Sequence, residues 1–103
     1  MSEPMRIRAV QVKDLVEVKL MIRHPMESGL RKDENGKKIP AHFIETLEVK
    51  CNDRIVLESY LGMAVSENPF IQFSFKGGAK GDMLEVTWKD NRGDTRTDKA
   101  AIS

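Results

Sequence analysis

Apolar and polar residues alternate along most of this chain with the period of a strand. Between Leu15 and Arg23, Val16, Val18, Leu20 and Ile22 are apolar, while Glu17, Lys19 and Arg23 take the opposite parity. That is the signature of a strand with one buried face. Phe70 to Lys76 repeats it, with Ile71, Phe73 and Phe75 inward and Gln72 and Ser74 outward. Met83 to Lys89 does so again, with Leu84, Val86 and Trp88 facing in. His42 to Cys51 puts Phe43, Leu47, Val49 and Cys51 on one face, with Glu45 breaking the parity, and Arg54 to Leu61 is rich in Ile, Val, Leu and Tyr. Between those two segments lie Asn52 and Asp53, residues that tolerate the positive φ of a two-residue hairpin turn. Arg6 to Val12 and Thr95 to Ile102 carry weaker alternation, the latter resting on Ala100 and Ile102. Turn chemistry fills Lys76-Gly-Gly-Ala-Lys-Gly-Asp82 and Asp90-Asn-Arg-Gly-Asp94. No segment longer than about ten residues has a helical period. Six or seven short strands with frequent turns predict an all-β chain, an immunoglobulin-like antiparallel β-sandwich forming one domain over residues 1–103.

One segment departs from this economy. From His24 to Ala41 runs an 18-residue connection, HPMESGLRKDENGKKIPA, with no strand pattern of its own. Structureless connections longer than about 12–15 residues are uncommon in compact domains and are frequently functional. His24 continues the inward parity of β-type positions 16 to 22, and His42 stands where the chain leaves the connection. The two histidines either clamp the loop at its base or face a common site, and the clamp is the simpler expectation. Within the loop, Arg31, Lys32, Lys37 and Lys38 are interleaved with Asp33 and Glu34, the composition of a solvated tip.

Charge and composition narrow the function. Seventeen Lys+Arg against 16 Asp+Glu give a net charge of +1, without the basic excess of a nucleic-acid binder. No run of about 18 apolar residues exists to span a membrane as a helix, and Met1 to Val10 has no apolar core of a secretory signal. Two His and one Cys are a thin supply for catalysis. Cys51 ends an apolar strand face beside a turn; free cysteines are usually buried and inert, and a reactive thiol would need a neighbour that lowers its pKa. His24, His42, Cys51 and six Met contain the ligand types of a blue-copper site, but no His follows Cys51, so the order of those ligands is wrong. There is no G-x-S-x-G, phosphate loop or H-E-x-x-H. Gly77-Gly78-Ala79-Lys80-Gly81 joins two strands and lacks the helix that a phosphate loop exploits. Neither a metal nor a cofactor is implied.

The segments His24-Pro-Met-Glu-Ser-Gly-Leu-Arg-Lys-Asp33, Ile39-Pro40, Cys51 before its turn, Ala64-Val-Ser-Glu-Asn-Pro-Phe70 and Val86-Thr-Trp-Lys-Asp-Asn91 closely resemble the SoxZ family, from about Val16 to the C-terminus. The resemblance implies an immunoglobulin-like subunit, not itself an enzyme, that pairs with SoxY in a heterodimer or heterotetramer. Together they form the sulfur carrier of bacterial thiosulfate oxidation. In that system SoxY bears the carrier cysteine on a glycine-rich arm, and the pair meets the other Sox enzymes transiently. SoxY also carries the export signal, which implies a periplasmic location for this chain, reached with its partner. This chain ends Asp98-Lys-Ala-Ala-Ile-Ser103, without Cys or Gly, as expected of the supporting subunit. His24, Pro25, Met26, Leu30, Arg31 and Lys32 are the candidate partner-binding residues, with Met26 and Leu30 as apolar anchors and Arg31 and Lys32 as a polar rim that also suits anionic sulfur adducts. Two rival readings are a redox-active thiol protein in which Cys51 itself carries sulfur, and a generic immunoglobulin-like binding domain.

Overall fold

The structure, a computed structural model, describes residues 3–62 and 65–103. Seven strands form: β1 (Arg6–Val12), β2 (Leu15–Met21), β3 (Ile44–Cys51), β4 (Arg54–Tyr60), β5 (Phe70–Lys76), β6 (Met83–Asp90) and β7 (Thr95–Ala101). There is no helix among the described residues. The strands make two antiparallel sheets, β1-β2-β5 and β4-β3-β6-β7, the immunoglobulin-like sandwich expected from the alternation. Both weaker segments are strands, and β7 pairs with β6 from Thr95 to Ala101. The β3–β4 hairpin closes through Asn52 and Asp53, both at positive φ (51° and 67°). That is the turn whose twist matches the flanking strands.

The core follows most of the inward positions read from the sequence, joined by Met5, Ala9 and Met26, while Ile71 and Phe73 on β5 are only half-buried. Val16, Val18, Leu20 and Ile22 from the first sheet meet Leu47, Val49, Leu84, Val86 and Trp88 from the second. Glycine matters at Gly78, where an added Cβ would lie 2.8 Å from Phe75 and 2.9 Å from Val16. The chain end stitches the sheets together. The Ser103 amide donates to the Ala9 carbonyl on β1, and the Ile102 amide donates to the Asp82 carbonyl beside β6. Ile102 is buried.

Two expectations need correction. Phe43 does not lead the inward face of β3; Ile44 is fully buried and Phe43 only half so. The β3–β6 register shifts between Ile44 and Thr46, and this irregularity absorbs one residue. Ile44 and Leu47, three apart, therefore both face the core, which accounts for the misplaced Glu45. The 24–41 connection, in turn, is not structureless. Glu27 and His42 exchange amide and carbonyl hydrogen bonds, the Ile39 amide donates to Arg31, and Lys32 bridges Lys38. The ladder turns at Asp33, whose carboxylate accepts the amides of Asn35 and Lys37, with Gly36 at φ 79°. Its strands were hidden because backbone pairing in solvent requires no apolar face; Asn35-Gly36 was the available signal.

Leu47 lies fully buried between the sheets. Leu47→Ala is expected to lower unfolding stability by about 2–5 kcal/mol, read as a lower urea midpoint at unchanged slope.

Candidate functional site

The base of the long ladder is built by parity. Beyond β2 the chain stays extended, so His24 falls on the face of Val16 to Ile22 and is 4% exposed. Along β6 the same logic carries Leu84, Val86 and Trp88 on to Asp90, which is 1% exposed. His24 is fixed in place by Asn68, whose side-chain oxygen accepts the His24 amide and whose own amide donates to the His24 carbonyl. Asn91 fixes the returning chain in the same way: it accepts the Phe43 amide, donates its backbone amide to Phe43 and gives its side-chain N–H to the Ala41 carbonyl.

These placements bring both histidines onto one carboxylate. His24 Nε2 lies 3.1 Å from Asp90 Oδ2, and His42 Nε2 lies 2.7 Å from the same oxygen. Asp90 Oδ1 accepts the amides of Arg92 and Asp94, each at 3.0 Å. Burial would raise the Asp90 pKa, but hydrogen bonds from the two imidazoles and two amides outweigh it and hold the carboxyl below the usual range. The His24 tautomer follows from its other nitrogen. The Met26 amide donates to His24 Nδ1 at 3.1 Å, so Nδ1 carries a lone pair and the proton sits on Nε2, facing Asp90. Burial pushes the His24 pKa down, against the pull of Asp90, and nearby His42 adds to the fall. The His24 ring packs edge-on against His42 and Trp88, with centroids 4.5 and 5.1 Å away.

His24, His42 and Asp90 offer three donor atoms within 4.8 Å of one another, and the question of a metal arises. A histidine that ligates through Nε2 normally donates its Nδ1–H to a second-shell acceptor. Here that position faces a backbone donor, the Met26 amide, so the arrangement suits hydrogen bonding to Asp90 and opposes ligation by His24. The clamp is the chemistry the geometry supports: Asp90 ties both ends of the ladder to β6.

The other candidate residues separate. Met26 is not an outward anchor. It is 6% exposed, sits at φ 49°, and its sulfur accepts the Ile44 amide at 3.4 Å. It holds the ladder from within, and His24 does the same. Pro25 is exposed, and Leu30 is 80% exposed, the most exposed large apolar side chain among the described residues. Arg31 pairs with Glu27 through two hydrogen bonds, which neutralises part of the rim, whereas Lys32 is exposed on the ladder. Cys51 is 2% exposed. Its pKa is raised, first by burial and then by Asp82, against a smaller effect of Arg54. Asp90, Asn68 and Asn91 were not singled out from the sequence as site residues. The inward parity of β6 was the signal for Asp90, and the two asparagines lie in the motifs Val-Ser-Glu-Asn68-Pro and Lys-Asp-Asn91. Ala64, at the head of the first motif, lies outside the described residues.

The fold and site define an all-β sandwich with a rigid, polar-clamped ladder at one end. The model of the sulphur oxidation protein SoxZ family matches residues 5–101, and the chain belongs to that family. No curated protein matches it.

Acid is expected to act through this clamp. His24 resists protonation when folded, so its contribution is complete above its ordinary pKa of 6.5 and is lost as pH falls through the depressed folded value. Asp90 adds a second loss below the ordinary 3.8. The urea midpoint should therefore fall between pH 7 and about 5, with a shallower fall in His24→Gln; a flat wild-type profile would contradict the assignment.

Cys51 is expected to react with Ellman's reagent at least about a hundredfold more slowly than in urea-unfolded chain, as a thiol both sealed and raised in pKa should. Equal rates would show that the thiol is open.

Proposed function

We propose that this chain is the non-catalytic supporting subunit of a SoxYZ-like sulfur carrier in thiosulfate oxidation, paired with a SoxY-like subunit that bears the carrier cysteine. The observation that carries this reading is the position of the single thiol. A sulfur atom carried covalently between enzymes needs an accessible, mobile, nucleophilic cysteine. Cys51 is buried, raised in pKa and fixed at the end of β3 by its pairing with Arg54 across the hairpin turn. Within this family, then, the carrier thiol is supplied by another chain, and the same burial weighs against Cys51 as the carrier. The role left to this chain is presentation. Its ladder stands on a rigid base and exposes Leu30, with Lys32 beside it, an apolar anchor with a polar rim of the kind partner surfaces use. We place the assembled pair in the periplasm, exported on the partner's signal.

The test is co-expression with a small partner whose C-terminal arm contains a cysteine among glycines. The two chains should co-purify. After exposure to thiosulfate and the cytochrome component, mass spectrometry should find the adduct on the partner cysteine and unmodified Cys51. An adduct on Cys51, or failure of the chains to associate, would overturn the reading.

A further inference from the structure

The two histidines on Asp90 are not equivalent, and the difference creates a site. His24 has both ring nitrogens occupied, Nδ1 by the Met26 amide and Nε2 by Asp90, in a side chain 2% exposed. His42 uses only Nε2, and its side chain is 20% exposed. Among the described residues its Nδ1 has no hydrogen-bond partner, and it is not sealed from solvent, since the buried unpartnered polar atom found there is Trp88 Nε1. A buried carboxylate that orients one imidazole nitrogen leaves the other as a directed lone pair, the geometry by which positioned histidines accept protons. This ring lines a cleft of about 450 Å³, between the end of β2 and the β6–β7 turn. The cleft is large enough for a short polypeptide segment.

We propose that His42, positioned by Asp90, is the proton acceptor for a thiol that the partner subunit brings into this cleft. The proposal rests on the carrier reading above for the source of the thiol. In the step, the S–H proton passes to His42 Nδ1. The products are a thiolate and an imidazolium that donates Nε2–H to Asp90 and Nδ1–H to the sulfur. No electrons are exchanged, and return of the proton reverses the step. The charged groups around His42 shape its selectivity. Arg23, from the end of β2, favours the thiolate, whereas Glu3, Glu67 and Asp94 oppose a free anion, and His24 stays neutral beside it. A thiolate is therefore stabilised only in direct contact with the imidazolium, so the thiol is activated when seated and stays protonated when the arm swings away.

The test measures the rate at which iodoacetamide alkylates the partner cysteine, from about pH 5 to 9. It is read for the partner alone, for the assembled complex, and for the complex with His42→Gln. At pH 7 the complex should react about tenfold faster than the partner alone, with its profile displaced to lower pH, and His42→Gln should return it to the rate of the partner alone. An assembled wild-type complex that reacts no faster than the partner alone overturns this proposal and leaves the carrier reading standing; failure to assemble overturns both. Imidazole ¹⁵N spectra of the isolated wild-type chain give a check independent of any variant. They should show His42 with a bare Nδ1 and a protonated Nε2, and the opposite tautomer would overturn the assignment.

Discussion

A buried carboxylate governs this end of the molecule. Taking Asp90 out of water costs several kcal/mol unless every lone pair finds a donor. The surrounding chain is arranged to provide them: two amides from its own turn, and two imidazoles from the two ends of a distant connection. Each donor depends on a further constraint. The Arg92 and Asp94 amides converge because Gly93 accepts φ 84°. His24 presents Nε2–H because the Met26 amide occupies its other nitrogen, and Met26 itself lies in the left-handed region where the chain turns. Loss of any one donor leaves a charge-accepting oxygen underserved in a dry site, which makes the network cooperative.

That cooperativity turns a long polar excursion into a defined surface. Residues 30 to 38 are exposed, apart from contacts made within the ladder, and an isolated two-stranded ribbon is marginal in water. Here its base is bonded to both sheets. His24 and Met26 continue from β2, Asn68 leads into β5, and Asp90 and Asn91 close β6. The cost of ordering the ladder is therefore met at its base during folding and not at the moment of binding. A surface ordered in advance loses less affinity to conformational entropy, so in the proposed pairing exposed Leu30 would meet its partner already in place.

The strand alternation made the sandwich legible because one buried face imposes period two on every strand. It even carried the outline of the site: the parity that turns His24 inward on β2 turns Asp90 inward on β6. What it could not show was their meeting, since the contact spans 66 residues and two sheets. Asp90 also reads locally as the first residue of a turn, a role it fills with Oδ1 while Oδ2 serves the histidines. The register irregularity at Ile44 was visible only as the misfit of Glu45. The ladder from Glu27 to His42 escaped because its pairing is purely backbone. Family resemblance marked these segments without giving a reason for them to act together. The structure supplies the reason, since His24, Asn68, Asp90 and Asn91, drawn from three separate motifs, form one hydrogen-bonded base.

On the proposed carrier reading, the same network would let a chain with so little chemistry take part in sulfur transfer. A carrier cysteine has opposing requirements: it must be reactive when docked and protected in transit. Placing the base on the partner's arm would keep the thiol reactive everywhere. With the proposed base on the supporting subunit, proton removal would depend on position, and a carboxylate-held imidazole in a cleft whose other charged groups are mostly acidic would limit it to the seated state. Such a division requires the support to be rigid, because proton transfer across a hydrogen bond tolerates little displacement. The four donors to Asp90 provide that rigidity, so the interaction that anchors the ladder is also the one that orients His42.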